Sequence, residues 1–255
     1  MIDKNRIPVV GVLLITTPRF RDLGRGTAGG VYSERKEREA KRVVEALAAF
    51  SAPVFPGMVY TRDDLSAAMR SFDEAAVDMV FACFLSWSDD FAWIRFLRDM
   101  RPVPVLFASI VRDSLGFEDS MTEDRFVEFL SAGALVGMLE ASGSASRFAR
   151  PMMERTIGSL GEAAARCADF AKAAAARSAL RASTFGLLPS MNEVMWSTYV
   201  DIYDLFMKAG PETRFLSVPA LEKEIADLPE GAVARATESI LAAYEADAAV
   251  DRAKM

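Results

Sequence analysis

Residues Val77 to Met100 read VDMVFACFLSWSDDFAWIRFLRDM. An unbroken apolar run, Met79 to Leu85, meets Ser86-Trp87-Ser88. Asp89 and Asp90 then open a segment with Phe91, Ile94, Phe96 and Leu97 at mixed helical spacing. A continuous apolar run suits a strand buried on both faces of a parallel sheet. Acidic residues suit a helix N-terminus, where unpaired N–H groups and the helix dipole favour negative charge. The stretch therefore reads strand, loop, helix. Ligands of open α/β sheets sit in the crevice beyond the carboxyl ends of the strands, which is where this reading puts Trp87. The alternative for Trp87 is a core aromatic at a strand end.

The same unit recurs on either side. Ile7 to Ile15, IPVVGVLLI, is a short run rich in β-branched residues and reads as a first buried strand. A polar loop, Thr16 to Ser33, carries Arg19, Arg21, Arg25 and four glycines, and Glu34 to Phe50 then sets Ala40, Val43, Val44, Leu47 and Phe50 at helical spacing. Pro53 to Tyr60 is a strand candidate broken by Pro56 and Gly57. Thr61, with Asp64 three residues on, caps a helix striped by Leu65, Ala68, Met69 and Phe72. Val103 to Ser109 supplies a further strand, Thr122 caps a helix, and Pro151 to Ala176 reads as one long alanine-rich helix.

Strands alternating with helices predict an α/β fold, a doubly wound, Rossmann-like parallel sheet over residues 1–176. A second α/β series occupies 177–255. It has a strand ending at Leu188, a loop at Pro189 to Glu193, a helix around Tyr199 to Lys208, a strand at Arg214 to Val218 and a helix begun by Pro219. Two parallel strands cannot cover both faces of a buried sheet, so this second domain is expected to be the incomplete, truncated start of a larger one.

Composition narrows the function. A chain of 255 residues with 51% hydrophobic content can fill a real core. The formal charge is -6 and the pI about 5.0, and no basic run is longer than the mixed-charge segment Glu34 to Arg42. Nucleic acid and anionic membranes are not expected partners. Apolar stretches are strand-sized and no leader pattern opens the chain, so a cytoplasmic location is expected. Cys83 and Cys167 are isolated and read as small buried hydrophobes. The chain has no histidine. That excludes a Ser-His-Asp triad, a Cys-His pair, a His-liganded metal and an imidazole base within these residues.

Gly24-Arg25-Gly26-Thr27-Ala28-Gly29 matches G-x-G-x-x-G, but Gly24 comes nine residues after Ile15 rather than in the turn directly after the strand. A nicotinamide oxidoreductase would rest on this string alone. Arg19, Arg21 and Arg25 lie in the same loop, on the sheet edge that carries Trp87, and a guanidinium fork suits carboxylate, phosphate or sugar hydroxyls. Solvated loop charge is the alternative. Asp89 and Asp90 invite a paired-carboxylate reading, but adjacent positions at a helix start point in different directions, and capping fits better. Met191, Asn192, Trp196, Asp201, Tyr203 and Asp204 could line a second crevice, although helix packing explains most of them.

Three segments together resemble the amino-terminal half of the L-fucose/L-arabinose isomerase family: ITTPRFRDLGRG at Ile15 to Gly26, VFACFLSWSDDFAWIRFLRDM at Val80 to Met100, and STFGLLPSMNEVMWSTYVDIYDLFMK at Ser183 to Lys208. The resemblance implies a cytoplasmic, homo-oligomeric aldose–ketose isomerase, an intramolecular oxidoreductase of carbohydrate metabolism. It implies that Arg19 or Arg21, together with Trp87, binds a monosaccharide, the aldose or ketose substrate, in a neighbouring subunit's pocket. The family's divalent metal, manganese or a similar ion, is held by Glu, Asp and His beyond the equivalent of Met255, so no catalytic or metal-binding residue is expected within this chain. The alternative is a stand-alone, non-catalytic sugar-binding or oligomer-capping module.

Overall fold

The computed structural model describes residues 6–111, 121–188, 194, 197, 200–229 and 231–244. The chain divides into two compact units, Met1–Ala179 and Leu180–Met255.

The first unit is α/β. Its strands are β1 (Val9–Ile15), β2 (Ala52–Val54), β3 (Met79–Phe84), β4 (Val105–Ile110) and β5 (Met153–Gly158), all parallel and ordered β2-β1-β3-β4-β5. Side chains alternate across a strand, so two cores form. Leu13, Ile15, Val80, Ala82, Phe84, Val105 and Phe107 face α2 (Arg62–Glu74), α3 (Phe91–Asp99) and α5 (Ala134–Phe148). Val12, Leu14, Phe81, Cys83, Leu106 and Ala108 face α1 (Tyr32–Ala48) and α6 (Leu160–Arg181). Every residue of β3 is buried, as its unbroken apolar run requires. Both cysteines are buried in the second of these cores, and burial pushes each thiol up to about 12.

Trp93 anchors the first core. Its ring stacks on Phe107, centroids 4.3 Å apart, and its indole N–H donates to the Ala141 carbonyl at 2.9 Å. Gly137 lets α5 come this close, since a Cβ there would sit 2.9 Å from the Phe84 ring and 3.0 Å from the Ser86 carbonyl. Arg150 closes the far end of α3 by donating to the Leu97, Met100 and Arg101 carbonyls.

Four readings of the sequence are corrected. Pro151 to Ala176 is not one helix: Met153–Gly158 pairs with β4 as an edge strand, and the helix starts at Leu160. Pro53 to Tyr60 forms only the short β2, and beyond its Pro56-Gly57 break Val59 makes an isolated bridge to Ile15. Asp89 and Asp90 do not cap α3 through their side chains. Asp90 holds the N-cap position in a helical conformation, φ -74 ψ -10, instead of the extended one that aims a cap, and makes no cap hydrogen bond. Lastly, apolar stretches exceed strand size. Glu123–Phe148, comprising α4 (Glu123–Ser131) and α5, is one stretch long and apolar enough to cross a membrane by length and composition. Those two properties are weak grounds for a span, and α5 instead lies on the sheet with Met138, Ala141 and Ala145 in the core.

The second unit pairs β6 (Thr184–Leu187) with β7 (Glu212–Phe215) in parallel. Helices α7 (Ile202–Ala209), α8 (Val218–Ala226) and α9 (Ala232–Ala243) accompany them. Asp201 caps α7 by accepting from the Tyr203 and Asp204 amides, which accounts for one acid of the expected second crevice. Met191, Asn192 and Trp196 lie outside the described residues.

Candidate functional site

The strand order reverses at β1. It runs to β2 on one side and to β3 on the other, so the loops after β1 and β3 flank the topological switch point where doubly wound sheets bind ligands. One backbone and one side-chain hydrogen bond join the two strand ends directly. The Leu85 amide donates to the Ile15 carbonyl at 2.8 Å and the Ser88 hydroxyl to the Thr16 carbonyl at 3.1 Å.

Beneath the crevice lies a buried hydroxyl cluster. The Tyr32 hydroxyl, at the start of α1, donates to Ser86 Oγ at 2.5 Å and lies 2.9 Å from Thr16 Oγ1, itself 3.1 Å from Ser86 Oγ. Burial raises the Tyr32 pKa despite the lowering effect of Ser86 and Thr16, which keeps the phenol protonated as a donor. One turn further on, fully buried Lys36 donates to Glu39 Oε2 at 2.6 Å and to the Leu85 carbonyl. The charge and hydroxyls together fix Leu85 and Ser86, the first residues of the loop after β3 that presents Trp87.

Above this floor, Thr17 accepts the Arg19 amide at 3.2 Å and Pro18 opens a 3-10 turn, Pro18–Phe20. That turn aims Arg19 across the crevice. Its guanidinium carbon lies 5.7 Å from the centroid of the half-buried Trp87 ring, and Nη2 is 3.4 Å from Asp89 Oδ1. Phe20 flanks the same indole at 6.3 Å and meets Tyr32 edge-on at 5.8 Å. Arg19 and Trp87 thus come together.

Arg21 goes elsewhere. Its guanidinium lies 4.3 Å over the ring of Tyr60, the residue that follows the Val59 bridge. Burial pushes the Tyr60 hydroxyl up to about 12, against the opposing pull of Arg21. Arg25 pairs with Asp22 at 2.6 Å on the exposed surface and takes no part.

The glycine string is not shaped for a dinucleotide. Gly24 holds φ +78, and its amide donates to Glu123 Oε1 at 3.1 Å while the Gly29 amide donates to Asp124 Oδ2 at 3.3 Å. The N–H groups that a pyrophosphate would need therefore face carboxylates supplied by α4. Arg35 holds Asp124 in turn, and that contact, seconded by Thr27, keeps the Asp124 carboxyl below the usual range.

The sequence pattern points to Arg19, Arg21 and Trp87 but not to Tyr32, Lys36 and Tyr60 as members of this site. Lys36 and Tyr32 had a signal. The stripe Ala40, Val43, Leu47 extrapolates back by fours to both, so each falls on the buried face of α1. Among the described residues no group of three or more His, Cys, Asp or Glu side chains could hold a metal ion. The chain matches no protein family and no curated protein.

Proposed function

We propose that the chain is the amino-terminal part of a cytoplasmic, homo-oligomeric aldose–ketose isomerase of the L-fucose/L-arabinose type, and that the β1–β3 crevice forms one wall of its sugar site. The observation that carries this reading is Arg19 meeting Asp89 beside the Trp87 ring. An aromatic face takes the C–H surface of a sugar, while a charged donor and a charged acceptor at its rim take hydroxyls. The resemblance of the same loops to that family gives the reaction class. The chain has no histidine, and among the described residues no group of acidic or thiol side chains could hold a manganese ion, so no step of proton transfer between C1 and C2 is assigned to them. Phe185, Phe206, Met207 and Phe215 are exposed on the second unit, which favours part of a larger assembly over a self-contained binding module.

Saturation-transfer NMR with L-fucose and L-arabinose tests the reading. Saturable binding is expected, lost in Trp87→Ala and weakened about tenfold, roughly 1.4 kcal/mol, in Arg19→Ala. Arg21→Ala is expected to change it less. The chain alone is expected to form no ketose; turnover at enzymatic rates by these residues, or binding indifferent to Trp87, contradicts the proposal.

A further inference from the structure

The outer face of α1 carries charge that the crevice does not use. Arg35, Arg38 and Arg42 recur at i, i+3 and i+7, on one side of the helix. They line an open-sided cavity of about 610 Å³ with an apolar floor of Val43, Ile110 and Leu160. That volume falls within the range of small-molecule sites, roughly 300–1,000 Å³, and exceeds what an inorganic ion fills.

The charges in the cavity do not cancel. Arg35 is met by Asp124 and by Glu128, the latter at 3.4 Å, and Glu39 is met by Lys36 at 2.6 Å. Arg38 is fixed by donating to the Gly29 carbonyl at 3.0 Å, yet among the described residues no carboxylate pairs with Arg38 or Arg42. Two like charges four residues apart on one helix face repel each other, and an anion seated between them removes that repulsion. At the opposite wall Ser159 caps α6, but Glu162 already takes its amide at 2.8 Å and its hydroxyl at 2.9 Å. The arginines, not the helix end, therefore carry the recognition.

We infer that this cavity binds an organic phosphomonoester. The dianionic group matches the two uncompensated guanidinium forks, which suit phosphate geometry, and the ester's carbon body covers Val43, Ile110 and Leu160. The inference stands apart from the sugar crevice, since it shares no residue with Arg19, Asp89 or Trp87.

Isothermal titration of the full chain with phenyl phosphate and with inorganic phosphate tests it. Phenyl phosphate is expected to bind saturably, at least tenfold more tightly than inorganic phosphate, and to weaken as salt rises. The double variant Arg38→Ala/Arg42→Ala is expected to lose at least tenfold in affinity with an unchanged melting curve, because both side chains are exposed. Arg19→Ala is expected to leave the affinity unchanged. Absence of saturable binding, or equal affinity in the double variant, overturns the site. Inorganic phosphate binding as tightly as the ester overturns the assignment to an organic ligand.

Discussion

The two units of this chain both pair strands in parallel, with opposite results. In the first, β3 buries all six of its residues between two layers of helices; in the second, no residue of β6 or β7 is buried. The difference lies in what covers the strands rather than in the ladder. Backbone pairing adds little net stability by itself, while apolar area removed from water adds roughly 25 cal/mol per Å². The first unit should therefore hold most of the folding free energy, and the second should tolerate substitution.

The sharpest test of that contrast is Trp93→Ala, which removes the stacking on Phe107 and Phe96 and the bond to Ala141. A loss of about 3–5 kcal/mol is expected from urea denaturation. Gly137→Ala should cost about 1–3 kcal/mol, since the new methyl meets Phe84 and the Ser86 carbonyl and α5 must shift. It should also disturb Ser86, and so the proposed sugar binding, which Trp93→Ala tests less cleanly.

Tyr60 gives a pH-dependent effect. Its folded pKa of about 12 lies above the unfolded value near 10, so the fold prefers the neutral phenol. The contribution is fully present below about pH 10 and lost as pH rises through about 12. Tyr60→Phe should accordingly lose less stability than the parent chain between those limits, as followed by denaturation at stepped pH. The smallest effect belongs to the second unit, where Phe206→Ala, at an exposed position, should stay within about 0.5 kcal/mol. A multi-kcal loss there would break the comparison.

What was legible in the sequence follows the same division. β1, β3 and β4 are buried on both faces and announce themselves as apolar runs. β5 did not, because an edge strand tolerates polar residues, and Met153-Glu154-Arg155 looks as helical as the alanine-rich segment after it. The start of α6 was nonetheless readable: Ser159 with Glu162 three residues on is a capping box, and the two do bond reciprocally. At the crevice, Trp87 was visible because it directly follows a buried strand. The Tyr32–Thr16–Ser86 cluster was not, since its hydroxyls come from three segments that only the sheet order brings together. Nor could loop sequence show that Arg19 turns to Trp87 while Arg21 turns to Tyr60.

The most direct test of the central claim is amide hydrogen exchange of the full chain, read by mass spectrometry with and without saturating L-fucose or L-arabinose. Added protection confined to Thr16–Arg21 and Ser86–Phe91, with β6 and β7 unchanged, is the result the account predicts. Protection absent from those two loops, or appearing only in the second unit, would contradict it.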